Sequence, residues 1–179
     1  MDYPIAFNEE DRLQALRDLQ ILDTPSDPRM SAICADAAAE FGVPIALVSL
    51  VDRDRQWFKV RIGLDTCETD RGQAFCNYTI TQDRPFVVED TLRDTRFASN
   101  PFVIGQPGIR FYAGAPLLFG DGIRLGALCL IDTKPRSFNE DEVAKLQDYA
   151  ERIIACLWLH DMTVNRAAYE LADRSGAQG

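Results

Sequence analysis

The sequence predicts an α+β domain, on three observations. Two pairs of β-rich runs are each separated by only a few turn residues, which places antiparallel hairpins in the middle of the chain. Helical periodicity with capping signals holds at both ends. With 179 residues, 46% of them hydrophobic, the chain has enough apolar surface for one substantial core.

The chain opens helical. Asn8 and Asp11 read as a capping pair ahead of Leu13, Leu16 and Leu19, giving a short amphipathic helix that ILDTPSDP ends. Ser26 reads as the cap of a second helix, in which Met30, Ile33, Cys34, Ala37, Ala38 and Phe41 share one face before Gly42 stops it. That face is expected to cover a sheet. Residues 44–52 (PIALVSLVD) are apolar at nearly every position, and Arg53-Asp54 turns the chain into RQWFKVRIG at 55–63. Alternation there puts Phe58, Val60 and Ile62 on one face and Arg55, Trp57, Lys59 and Arg61 on the other, as in a half-buried strand nearer an edge.

Between the hairpins the pattern predicts a helix from Gln73 to about Thr81, a short strand at 85–90, and an irregular stretch up to Pro107-Gly108. A loop of that length in a compact domain is more often functional than filler. The second hairpin joins residues 110–119 to 123–132 through Gly120-Asp121-Gly122, where glycine supplies the positive φ of a tight turn. Both parities of its second run are mostly apolar, so that strand is expected to be central and covered on both faces.

The last helix is predicted from 139 to about 173, roughly 50 Å at 1.5 Å per residue. Asn139 and Glu142 form its capping pair, and no proline or glycine interrupts it before Gly176. Val143, Leu146, Ala150, Ile153, Leu157, His160, Val164, Ala167 and Leu171 recur at alternating three- and four-residue spacing. This heptad seam is expected to make a homodimer, with Val143, Leu146, Ile153, Leu157, His160, Val164 and Leu171 at the contact and the two His160 rings meeting across the dyad. The competing reading is an exposed tail with an accidental pattern. IIACLWL (153–159) is apolar all round, which suits a helix touching its own sheet on one side and another helix on the other.

Charge and composition narrow the function. A net charge of −9 opposes binding to nucleic acid or an anionic membrane. The longest apolar stretches fall short of the ~20 residues that span a bilayer, and the acidic N-terminus lacks a signal-peptide layout, so a cytoplasmic protein is expected. The five cysteines are scattered without metal-site or redox-motif spacing, and Cys34, Cys129 and Cys156 sit in apolar patterns as core thiols. His160, the single histidine, has no second metal ligand or nucleophile beside it in sequence, which leaves no metal site or cofactor to expect.

In succession, GVPIALVSLVDRDRQWFKVRIGLD, AFC at a helix start, FASNPFV, IRFYAGAPL and LGALCLIDTKPRSFNEDE resemble a bacterial GAF domain of the sensory type found beside histidine kinases and diguanylate cyclases. The resemblance runs from about Asn8 to about Leu157. It implies a GAF/PAS-like central antiparallel sheet, helices from both chain ends on one face and a ligand pocket on the other. Residues 1–24 then form an N-terminal helical segment, 25–157 the GAF domain and 158–179 an extension of the last helix for dimerisation or signalling.

Function follows as an expectation: a non-enzymatic sensory module that binds a small molecule and acts on a signalling partner. Trp57, Phe75, Cys76, Asp90, Phe97, Arg110 and Tyr112 are its candidate ligand contacts, and Arg110 would take an anionic group through its planar fork. Arg110 pairing with Asp90 or Asp94 to fix the long loop is the other reading. The bilin-binding branch is disfavoured, because its Cys-His pair and Asp-Ile-Pro string do not occur. For cyclic nucleotides, Lys134, Phe138, Asp141 and Glu142 match the family signature only in part, and a capped helix start explains them. The enzymatic alternative is a thiol-dependent redox enzyme of the free methionine sulfoxide reductase type using Cys67 and Cys76. That branch's third cysteine has no counterpart between Arg84 and Arg110.

Overall fold

The computed structural model describes residues 3–176, with side chains to Ala167. Helices α1 (Glu9–Asp18) and α2 (Pro28–Phe41) lead into the hairpin of β1 (Ile45–Val51) and β2 (Arg55–Ile62), followed by a short strand β3 (Glu68–Asp70). A 3₁₀ turn (Arg71–Gln73), α3 (Cys76–Thr79), β4 (Phe86–Val88) and α4 (Pro101–Ile104) precede the hairpin of β5 (Phe111–Leu118) and β6 (Arg124–Asp132), and α5 (Glu140–Gly176) closes the chain. The sheet is antiparallel, in the order β3-β2-β1-β6-β5-β4. Strand β6 is central and buried along its whole length, as its two apolar parities predict.

Two apolar layers flank the sheet. On one side α1, α2 and α5 bring Leu16, Leu19, Met30, Cys34, Leu146, Ile153 and Leu157 against Val48, Val60, Phe111, Ala113 and Leu128. On the other, Leu47, Phe58, Tyr112, Cys129 and Ile131 meet Phe75, Ile80 and Phe97 from the segment between the hairpins. Helices from both chain ends therefore share one face.

The heptad seam of α5 belongs to this core. Leu146, Ile153 and Leu157 are fully buried in their own domain, Val143 and Val164 are partly buried, and His160 Nε2 donates to the Leu19 carbonyl at 2.8 Å. Exposing the first three residues would cost roughly 4–9 kcal/mol, comparable with the whole stability of a small domain. The seam from Leu146 to Leu157 is thus unavailable to a second copy, and the expected meeting of two His160 rings is corrected, since His160 is held by its own domain. A heptad pattern reports a covered face without saying what covers it; here the sheet does. The Leu171 side chain lies outside the described residues.

Three local readings change as well. Asn8 makes no side-chain cap for α1; its Nδ2 donates instead to the Gly122 carbonyl at 3.1 Å, tying the N-terminus to the β5–β6 turn. Asp27, not Ser26, caps α2, accepting from the Arg29 and Met30 amides, with Pro28 in the first-turn position where no amide is needed. In β2, Val48 pairs with Val60 and Ser49 with Phe58, so Lys59 is an extra residue in a bulge. The bulge breaks the alternation: Trp57 and Val60 face the helices while Phe58 faces the opposite layer. The capping box of α5 forms as predicted, with Asn139 N donating to Glu142 Oε2 at 2.8 Å and Glu142 N to Asn139 Oδ1 at 3.0 Å.

Candidate ligand-binding site

The layer away from the helices holds a cavity of about 360 Å³. Its walls are Leu47, Gln56, Phe58, Tyr112, Cys129 and Ile131 from the sheet, Gln73 to Cys76 from the turn into α3, and residues near Leu64–Thr66 and Gln106–Pro107. This volume lies within the range of small-molecule sites, and the lining is mostly apolar with a few polar atoms, as such sites require. Among the described residues, no Lys, Arg or His lines it, and Asp65 is its one carboxylate. An anion would enter without a counter-charge to offset its desolvation.

One polar atom in the wall is unmet. Gln56 is 7% exposed; its Nε2 donates to Thr69 Oγ1 at 3.1 Å, but Oε1 is buried with no hydrogen-bond partner among the described residues. An unmet buried acceptor costs about 1–3 kcal/mol. A ligand N–H or O–H placed here would remove that cost. Strand β3 is what holds Thr69 opposite Gln56.

The floor is a compact polar cluster. Cys76 Sγ lies 3.2 Å from Cys129 Sγ and 3.3 Å from the Tyr112 hydroxyl, which is 2.8 Å from Thr79 Oγ1. Gly114 makes room for this ring: a Cβ there would stand 2.2 Å from the Tyr112 hydroxyl oxygen. Burial opposes ionisation of Cys76, but hydrogen bonds, foremost those with Cys129 and Tyr112, outweigh it and lower its pKa. Burial raises that of Cys129, and the adjacent Cys76 pushes it further. Tyr112 is likewise raised, chiefly by burial, and stays a phenol.

Of the candidates read from sequence, Phe75, Cys76 and Tyr112 line the cavity. Phe97 lies behind it, stacked on Phe75 with centroids 4.3 Å apart. Trp57 is on the helix side of the sheet, sent there by the parity of β2. Asp90 and Arg110 are outside the lining and bind each other, with Arg110 Nη2 donating to Asp90 Oδ1 at 3.0 Å and Oδ2 at 3.1 Å. Arg110 therefore fixes the long loop and does not reach into the cavity, which corrects its expected part as an anion anchor. Cys67 is exposed and outside the lining. Gln56, Phe58 and Cys129 were not foreseen as cavity residues. Nothing in the string RQWF marks Gln56 as inward-facing, and Cys129 reads as one more core thiol.

Among the described residues, no group of three or more His, Cys, Asp or Glu side chains is placed to hold a metal ion, and no helix is long and apolar enough to cross a membrane.

Comparison with known proteins places these features. The sequence model of the GAF domain matches residues 25–157. The chain is 42% identical over 153 residues to a cyclic di-GMP phosphodiesterase of Pseudomonas aeruginosa; the match covers 85% of this chain and 26% of that protein. It thus spans about a quarter of that relative's length. Among solved structures, the GAF domain of an Acinetobacter phosphoenolpyruvate-protein phosphotransferase superposes with a TM-score of 0.60 at 16% identity, covering 86% of this chain and 94% of that one. The free methionine-R-sulfoxide reductase of Neisseria meningitidis, solved with its substrate, gives 0.60 at 18% identity over 93% and 99%. At these identities the two structures speak for the fold.

Proposed function

The chain belongs to the GAF domain family, and from that premise we propose that it is a non-enzymatic sensory module that binds a small, uncharged or cationic molecule in the cavity on the far side of its sheet. The observation that carries this reading is the unpartnered Oε1 of Gln56 in an apolar chamber free of basic residues. Strand β5 offers a route for the signal. Tyr112 faces the cavity while its neighbours Phe111 and Ala113 pack in the helix layer with α5, so a ligand that moves Tyr112 is felt at the long helix.

The output is proposed to be control of signalling of the cyclic di-GMP type, supported by the 42% identity to the Pseudomonas aeruginosa phosphodiesterase. The matched region is 26% of that protein, so its name is taken as the kind of output such a module regulates and not as a reaction of this cavity. Self-association is proposed through the outer side of α5, where Trp158, Leu159 and Met162 are exposed opposite the buried seam. Native mass spectrometry of the folded chain tests the ligand. A co-purified small molecule, recovered in smaller amount when Gln56 is replaced by Leu or Tyr112 by Ala, is the expected result. Undiminished recovery with both variants would place the site elsewhere.

A second reading is a thiol-dependent reductase, favoured by the lowered pKa of a cavity cysteine. Turnover of free methionine sulfoxide with a thiol reductant, abolished by Cys76→Ser, would establish it; no turnover is expected.

A further inference from the structure

Cys76 and Cys129 are 53 positions apart, yet the fold sets their sulfurs 3.2 Å from each other on the cavity floor. We propose that they form a redox-sensitive dithiol, which a small hydroperoxide entering the cavity converts to a disulfide between α3 and the central strand β6. Closing the gap to a bond of about 2.0 Å takes an approach of about 1.2 Å, within reach of small side-chain rotations. Both residues line the cavity, which gives a molecule the size of hydrogen peroxide a path to the wall they form.

The two thiols are unlike. Cys76 is the one whose ionisation is favoured, by its hydrogen bonds with Cys129 and Tyr112, while Cys129 keeps its proton. The Cys76 thiolate attacks one peroxide oxygen, the O–O bond breaks, and the other oxygen leaves as an alcohol or water after taking up a proton. Cys76 is then a sulfenic acid. The Cys129 sulfur attacks the Cys76 sulfur, the S–O bond breaks, and the departing oxygen takes the Cys129 proton to leave as water. In sum, two thiols lose two hydrogens and one peroxide is reduced. Tyr112, still a phenol and in contact with both sulfurs (3.3 and 3.6 Å), can donate a hydrogen bond to the oxygen as it leaves. The other thiols are placed differently: burial pushes the Cys34 pKa up to about 12, and Cys34 and Cys156 sit in the helix-side layer.

The bond would fasten α3 to the sheet and remove the thiolate that Tyr112 contacts, changing the chamber's floor with the redox state. This needs no resident ligand and stands apart from the ligand reading. The test treats the folded chain with a small excess of hydrogen peroxide, alkylates remaining thiols in denaturant and maps the peptides. Expected is a cross-link between the Cys76 and Cys129 peptides, lighter by two hydrogens, reversed by dithiothreitol and unchanged in Cys67→Ser. In Cys129→Ser a Cys76 sulfenic acid should be trapped by dimedone. The wild-type map decides even if that variant misfolds. Oxidation of Cys67 with Cys76 and Cys129 still alkylated, or a cross-link from Cys76 to Cys67, would overturn the proposal.

Discussion

Arg71 Nη1 donates to Glu9 Oε1 at 2.7 Å across 62 positions of sequence, fastening the first helix to the turn that becomes the cavity wall. The same carboxylate oxygen accepts from Arg12 Nη2 at 2.7 Å. Arg12 reaches the Val51 carbonyl, and Arg71 the carbonyls of Asp52 and Arg53 and the side chain of Asn77. One carboxylate thus is the shared counter-charge of two guanidiniums that are almost wholly buried. Glu9→Gln would leave both without a counter-charge and is expected to cost about 2–4 kcal/mol in chemical denaturation.

The network also sets an acid limit. Burial opposes the Glu9 charge, but hydrogen bonds from Arg12 and Arg71 outweigh it and hold its pKa at about 2, against an ordinary 4.5. Since the folded value is the lower one, this stabilisation is complete above about pH 4.5 and is lost as pH falls toward about 2. Stability should therefore fall more steeply over that window in the wild type than in Glu9→Gln. Parallel curves would show that Glu9 is not the group responsible.

Elements with a strong period or a local cap were legible in the sequence: both hairpins, the central place of β6, and α5 with its Asn139–Glu142 box. Strand β3 was not, because Glu68, Thr69 and Asp70 carry no apolar pattern and are held by backbone pairing to β2. The bulge at Lys59 was not either, since one inserted residue leaves a stretch that still alternates on paper. That single insertion hid the site's most informative atom. It sets Gln56 and Phe58 inward and Trp57 outward, the reverse of what Trp57 as a ligand contact requires. Contacts between distant segments, such as Cys76 with Cys129, have no local signature at all.

Gln56→Leu and Arg110→Ala should separate the cavity from the loop. Removing the unmet acceptor is expected to leave the empty protein as stable or up to about 1 kcal/mol more stable, and to weaken a co-purified ligand by about 0.5–1.5 kcal/mol in calorimetry. Arg110→Ala breaks a partly exposed ion pair with Asp90, so about 0.5–1 kcal/mol of stability should go while ligand affinity holds. Weaker binding in Arg110→Ala alone would return Arg110 to the site.

Gly114→Ala tests how the floor is built. The new Cβ would fall 2.2 Å from the Tyr112 hydroxyl oxygen and 2.8 Å from Thr79 Oγ1, so the ring must move toward the cavity. A loss of about 1–3 kcal/mol is expected, as for overpacking a filled core. Gly114→Ala combined with Tyr112→Phe, which removes the crowded oxygen, should recover part of it. A fully tolerated alanine would mean that Tyr112 has room to spare and is not fixed by its neighbours.

The last prediction concerns which face of α5 meets a second copy. With the seam residues Leu146, Ile153 and Leu157 buried against the sheet, the proposed dimer uses the apolar side chains that lie opposite them on the helix. There Trp158, Leu159 and Met162 are 43%, 48% and 66% exposed, and Trp158 stacks on Phe119 of the β5–β6 turn with centroids 4.0 Å apart. Exposed apolar side chains gathered on one side of a helix suit an isologous contact between two copies. Leu159→Asp with Met162→Asp should therefore yield a monomer in sedimentation velocity at micromolar concentration, with domain stability changed by no more than about 0.5 kcal/mol per surface substitution. Leu157→Asp should instead unfold the domain, because it puts a charge into the core. A wild-type monomer under these conditions would end the proposal of a dimer, and a double variant that still dimerises would remove this face from it.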